Sequence, residues 1–291
     1  MKVGMAADMA AVSPQRPQEY AAIRDAGATI LRQGFRQEYG LGSYDVLVLD
    51  AARAGLTFMP VIIGPYPPSG IPTFAAKIAR RYGRGGGLWQ EHPEVAAHPI
   101  TSYQVWNEPN FPSSWGGHPN ASAYARLLNH AAAEIRRVDP HAEVVSAGIA
   151  DSKQGIPLEK YVKGIKGAAF DSLAVHSYPA KNQTVVDTIH RGMHALSSNR
   201  HIWLTEFGWA TGGPASSHTI SEAAQAARVR QAIRRLRHVP KLNGFVYYGW
   251  QDLRTYEGRS DYWGLHTGLT RLNGLPKQAR QAFIREVRRA A

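Results

Sequence analysis

The 291-residue chain contains no cysteine, which excludes disulfides and thiolate-held metal sites and leaves the compartment open. It has no apolar run long enough to span a bilayer, so no membrane association is expected. Acidic residues are few beside basic ones, 22 Asp and Glu against 34 Lys and Arg, for a formal net charge of +12. That charge falls on helix faces rather than in patches interleaved with aromatics, so no nucleic-acid partner is expected. Arg280, Arg285, Arg288 and Arg289 close the last helix, where positive charge also suits the macrodipole. No Gly-x-Gly-x-x-Gly follows the first strand and no Walker sequence occurs, which leaves a nucleotide fold without support. His190 and His194 are spaced i, i+4 but lack a third ligand, so no metal site is expected. The apolar start, Met1 to Val12, lacks a basic n-region and a cleavage site and reads as a first strand. Localisation stays open: secreted if a signal was removed earlier, otherwise cytoplasmic.

What the chain does have is 44% hydrophobic and 19% charged residues, the balance of a globular protein with a sizeable core. Strand-like and helix-like segments alternate throughout. Strands are predicted at Lys2–Ala7, Thr29–Phe35, Leu56–Ile63, Ile100–Glu108, Glu143–Gly148, Asp171–Tyr178, His201–Phe207 and Asn243–Trp250. Helices are expected between them, including Gln18–Ala26 and Tyr44–Ala54, stopped by Gly27 and Gly55. Ala123–Val138 would be capped by Ser122 and ended by Asp139-Pro140, and Leu88–His98 reads as a further short helical piece. Unbroken apolar strands separated by helices imply a parallel sheet covered by helices. Eight such units imply an α/β fold of one domain over 1–291, a (β/α)8 TIM barrel. Monomer is the default expectation.

Two stretches share one design. In Tyr103-Gln104-Val105-Trp106-Asn107-Glu108-Pro109-Asn110 a β-prone run ends in a carboxylate. Pro109 has no N–H and biases Glu108 away from helix, which places Glu108 at a strand's end. His201-Ile202-Trp203-Leu204-Thr205-Glu206-Phe207-Gly208-Trp209 ends likewise in Glu206, with Gly208 free to turn. In such barrels the site forms where strands run out into loops. Those positions hold Asp8, Arg32 or Arg36, Gly64-Pro65-Tyr66, Asn107-Glu108, His176 with Tyr178, Glu206, and Trp250 with Asp252. Two carboxylates converging at the mouth suit glycoside hydrolysis, at about 5–5.5 Å for a retaining enzyme and about 6.5–9.5 Å for an inverting one. Trp203 is read as core packing beneath the helices. Trp115, Trp209, Tyr256 and Trp263 fall on mouth loops, where they could stack on sugar rings or pack on one another.

Trp106-Asn107-Glu108-Pro109-Asn110, His176-Ser177-Tyr178, Thr205-Glu206-Phe207-Gly208-Trp209 and Trp250 together resemble clan A retaining glycoside hydrolases. The likeness is to family 39-like and family 5-like bacterial barrels, and it reaches the closing Gly274-Leu275-Pro276-Lys277. The resemblance implies Glu108 as general acid/base, Glu206 as nucleophile and Asn107 as holder of the sugar 2-hydroxyl. It implies Arg32 beside the nucleophile, Tyr178 hydrogen-bonded to it, His176 lining the site and Trp250 as the floor. No cofactor is needed, because two carboxylates supply acid, base and nucleophile. The implied partner is a carbohydrate, an oligosaccharide or polysaccharide, β-linked or L-series with equivalent geometry, cleaved by double displacement. That chemistry requires Glu108 to hold a proton while Glu206 stays ionised. Transglycosylation and sugar binding without turnover are the alternatives. Family 39 members usually add a β-sandwich, for which no spare length is expected here.

Overall fold

The computed structural model describes residues 1–7, 13–151, 154–179, 184–255 and 258–289. Eight parallel strands close into a barrel in sequential order. They are β1 (Lys2–Ala6), β2 (Ile30–Arg36), β3 (Thr57–Ile63), β4 (Ser102–Val105), β5 (Glu143–Ala150), β6 (Ser172–Ser177), β7 (His201–Phe207) and β8 (Leu242–Tyr247). The ring closes where Lys2 pairs with Gly244 and Met5 with Tyr247. Around it lie α1 (Arg16–Asp25), α2 (Gly42–Arg53), α3 (Ile71–Tyr82), α4 (Gly87–Glu91), α5 (Ala121–Val138), α6 (Leu158–Ile165), α7 (Val185–Leu196), α8 (Glu222–Leu236) and α9 (Gln278–Arg288). This is the (β/α)8 barrel that the alternation predicts. Among the described residues no helix is long and apolar enough to cross a membrane.

Local chemistry sets the boundaries. Gly27 and Gly55 follow α1 and α2 with φ of 97° and 73°, a left-handed stop that a residue with a Cβ rarely adopts. α5 is capped by Asn120 rather than Ser122: the Asn120 Oδ1 accepts the Ala123 N–H at 2.9 Å, which puts Ser122 inside the first turn. The piece before β4 is helical only as far as Glu91. There the Trp89 indole donates to the carbonyls of Tyr82 and Gly83, which ties the short helix to the end of α3.

The core has two layers. The larger lies between barrel and helices, where for example Phe35 stacks on Tyr44 at 4.1 Å. The smaller fills the barrel with Ile30, Met59, Val145, Ala174 and Trp203. Trp203 therefore points into the barrel and not beneath the helices. The cause is a slip in the ladder: Val175 pairs with Leu204 but His176 with Glu206, leaving Thr205 as an extra residue. That bulge lets Trp203 and Glu206, three apart, both face the axis, which strict alternation forbids.

Below Trp203, Glu143 closes the barrel's N-terminal end. Its carboxylate accepts from Ser102 Oγ and Ser172 Oγ at 2.6 Å, Asn243 Nδ2 at 2.7 Å and Trp203 Nε1 at 2.8 Å. Burial pushes this carboxyl up, and the four donors outweigh it and hold it below its ordinary value. The floor is thus a satisfied polar plug, and the C-terminal mouth is left for chemistry.

Candidate active site

The mouth is organised by Arg32, which rises inside the barrel from β2 and is 5% exposed. Its Nε donates to Gln104 Oε1 at 2.8 Å and its Nη1 to Glu206 Oε1 at 2.8 Å. Its Nη2 donates to Asn107 Oδ1 at 2.9 Å and lies 3.3 Å from His176 Nε2. A guanidinium can only donate, so His176 Nε2 accepts and the ring proton sits on Nδ1. From there Nδ1 donates to Glu108 Oε1 at 2.9 Å and lies 3.5 Å from Glu206 Oε2. The Tyr178 hydroxyl donates to the same Glu206 oxygen at 2.7 Å. One oxygen of each glutamate and the His176 nitrogen all lie within 4.8 Å of one another. Arg32 already donates to Glu206 and His176, so this cluster reads as a hydrogen-bonded carboxylate pair rather than a cation cage.

Glu108 reaches this point by an unusual backbone. β4 ends at Val105, so Glu108 stands three residues past the strand, and the predicted strand through Glu108 is too long. Trp106 and Glu108 have φ of 72° and 46°, where a Cβ is costly, in place of the extended backbone expected ahead of Pro109. Surrounding bonds over-determine the turn. The Glu108 N–H donates to Gly148 O at 3.2 Å, the Phe111 N–H to Glu108 O at 2.9 Å, and the Trp106 indole to Ser114 O at 2.9 Å. Buried Asn110 bonds to Ala150 and Ile156. β5 itself continues two residues past the predicted Gly148. Gly148 faces the site, and a Cβ there would run into the His176 imidazole.

The surroundings of Glu206 set its charge. Burial alone would raise the Glu206 carboxyl, but His176 and Arg32, with hydrogen bonds from Tyr178 and Arg32, hold it below its ordinary 4.5. Glu206 is therefore an anion at neutral pH. Burial and the adjacent Glu206 push the Tyr178 hydroxyl well above its usual range, so it remains a donor.

The aromatic surround differs from the sequence expectation. Trp250 is 5% exposed and covered by the Arg280 guanidinium of α9, 4.4 Å from its ring. The β8 aromatic beside Tyr178 is Tyr248, two residues earlier, with ring centroids 6.2 Å apart. The Tyr248–Gly249 peptide is cis. Trp115 and Trp209 are buried at 2% and 4% and offer no open ring face to a sugar. Trp115 packs edge-on against Tyr66, Trp106 and Tyr124, and Trp209 against Phe207. Trp263 does reach the mouth, 5.0 Å from the Tyr178 ring and stacked on His218. Asp252 is drawn off to buried Lys277 at 2.7 Å. Arg36 pairs with Glu38 and not with Glu206. Tyr256 and Asp8 lie outside the described residues.

Three groups at the site carry weak sequence signals. Gln104 holds Arg32 from mid-strand, where a polar residue among apolar ones was the available clue. Gly148 makes room for His176. Tyr262 packs against Trp263 with ring centroids 5.1 Å apart, and its hydroxyl is pushed up to about 12 by burial and then by Glu206 and Glu108.

Solved structures share this architecture at low identity. A GH39 β-xylosidase from Caulobacter crescentus has a TM-score of 0.73 at 16% identity, covering 98% of this chain and 70% of that one. A glucosidase from Croceicoccus marinus has a TM-score of 0.76 at 14% identity, covering 100% and 67%. A GH5_18 protein from Bifidobacterium longum subsp. infantis has a TM-score of 0.72 at 13% identity, covering 99% and 79%. Such likeness establishes the fold. No curated protein sequence matches the chain significantly. The family model for the glycosyl hydrolase catalytic core matches residues 85–274, about two thirds of the chain, and spans Asn107, Glu108, His176, Tyr178 and Glu206. By that match the chain belongs to the glycosyl hydrolase catalytic-core family.

Proposed function

We propose that the protein is a retaining glycoside hydrolase in which Glu206 is the nucleophile and Glu108 the general acid/base. The observation that carries this reading is the close approach of two carboxylates. One oxygen of each lies within 4.8 Å of the other, which favours the spacing of about 5–5.5 Å of a retaining pair over the about 6.5–9.5 Å of an inverting one. Glu206, ionised and held by Arg32 and Tyr178, attacks the anomeric carbon while Glu108 protonates the departing oxygen. Water then hydrolyses the glycosyl-enzyme with Glu108 as base. His176 Nδ1–H donates to Glu108 and faces Glu206, so it fixes the acid/base relative to the nucleophile. Asn107 Oδ1 accepts from Arg32, which leaves its NH2 as the donor for the sugar 2-hydroxyl. Tyr248 and Tyr262, rather than Trp250, flank the reacting sugar.

The test is hydrolysis of a panel of 4-nitrophenyl glycosides, with xylan, mixed-linkage β-glucan, β-1,3-glucan, galactomannan and polygalacturonate. Release of sugar from at least one member is expected, and glycan binding without turnover would contradict the hydrolase reading. The pH profile adds a signed expectation. Glu206 must be ionised to attack and its folded value is lowered, so the acid limb of kcat/KM falls below pH 4.5. The same group stabilises the fold above its unfolded value of 4.5, and that stability is lost as pH falls through the folded value. An acid limb above 5 would reject Glu206 as the depressed nucleophile.

A further inference from the structure

Resting on the hydrolase reading, we propose that Tyr66 is a stacking platform for a sugar unit outside the one being cleaved, so the substrate is a chain of several sugars. Tyr66 is 52% exposed, whereas the neighbouring aromatics Trp106 and Trp115 are buried. An exposed aromatic is ordinary when its ring is free to move. This one is fixed on several sides.

Its sequence context is Gly64-Pro65-Tyr66-Pro67-Pro68, in which three ring-locked φ angles leave the loop little freedom. Below it, the indole of Trp115 meets the ring edge-on at 5.7 Å and an interplanar angle of 71°. Beside it runs Gly116 at φ 56°, and a Cβ there would stand 2.5 Å from Tyr66 Cε1. Glycine at 116 thus admits the ring against bare backbone and leaves the rest of the ring to solvent. The hydroxyl has no hydrogen-bond partner among the described residues and can bond to a ligand. An immobilised, half-exposed ring with a free polar tip presents contact area at little entropy cost, which suits the apolar face and rim hydroxyls of a pyranose.

The platform stands on the loop next to the one that carries Glu108. Ile62 of β3 pairs with Val105 of β4. Tyr66 lies in the loop that follows β3 and Glu108 in the turn that follows β4, its neighbour in the barrel. The support is also continuous: Trp115 packs on Trp106 at 5.6 Å, and Trp106 begins the turn that presents Glu108. Tyr66 and Glu108 thus share one packed support at the same mouth of the barrel, as a platform for a neighbouring sugar unit requires.

The experiment uses the full chain as wild type, Tyr66→Ala, Tyr66→Phe and Gly116→Ala. One arm measures retardation in native gels containing each of the five polysaccharides named above. The other measures kcat/KM on 4-nitrophenyl monosaccharides and on xylo-, cello- and laminari-oligosaccharides of two to six units. Tyr66→Ala is expected to lose about tenfold in retardation and in kcat/KM for chains of three or more units, with a smaller loss on monosaccharide glycosides. Tyr66→Phe keeps most of the wild-type value. Gly116→Ala, which displaces the ring, follows Tyr66→Ala. Equal loss at every chain length, or no loss at any, overturns the platform while leaving the hydrolase reading intact. Retardation that depends on Tyr66 without any turnover supports the platform and overturns the hydrolase reading. A wild type that neither cleaves nor is retarded by any glycan overturns both.

Discussion

Replacing Glu206 by alanine should lower kcat by roughly 10⁴-fold or more, because the attacking oxygen itself is removed. The variant leaves behind two donors, Arg32 Nη1 and the Tyr178 hydroxyl, aimed at a vacated anionic position. Azide fits that position in charge and can attack the anomeric carbon directly, so it should restore turnover of an activated aryl glycoside. The glycosyl azide then has inverted configuration. Glu108→Ala should give the other anomer, since its nucleophile is intact and azide enters only at the second step. Substantial activity in Glu206→Ala without azide would refute the nucleophile assignment.

Gly148→Ala should cost about 10²-fold in kcat/KM, although residue 148 has no side chain to lose. The added methyl overlaps the His176 imidazole, which is 1% exposed and has no free space to enter. Displacing the ring breaks its contacts with Arg32 and Glu108 together and forces the packing around β5, for a further loss of about 1–3 kcal/mol in stability. The checks are kcat/KM and the urea midpoint of the single variant, beside His176→Ala and the double variant. Adding Gly148→Ala to His176→Ala should cost little more, because the collision partner is already gone. Wild-type activity in Gly148→Ala would show that the imidazole position is not needed.

The barrel was legible because its evidence is repeated eight times. Each apolar strand and each helix stop adds to one count, and an error of a few residues at Ile100–Glu108 or Leu88–His98 does not alter the count. Glu108, Glu206, Arg32, Asn107, His176 and Tyr178 stand out as polar groups at the ends of apolar runs, and the fold brings these six together. What the sequence hides is geometry that departs from period two. The bulge at Thr205 turns Trp203 inward, and the left-handed turn at Trp106 and Glu108 carries the acid beyond its strand.

Aromatic residues were the least readable class. Trp115, Trp209 and Trp250 occupy mouth loops or a strand end, yet each is covered by a neighbour remote in sequence: Trp115 by Tyr124, Trp209 by the Arg228 guanidinium, Trp250 by Arg280. Burial of an indole depends on such partners, and one chain read locally does not name them. Gln104 and Gly148 were missed for the opposite reason. They act by holding or admitting another residue, Arg32 in one case and His176 in the other, and so carry no chemical signature of their own.

The most direct measurement of the central claim is the configuration of the first sugar released, followed by proton NMR from the glycoside that the panel identifies. Double displacement through Glu206 predicts that the first anomer formed matches the substrate, with the other appearing later by mutarotation. Initial release of the opposite anomer would mean direct attack by water and would contradict the account.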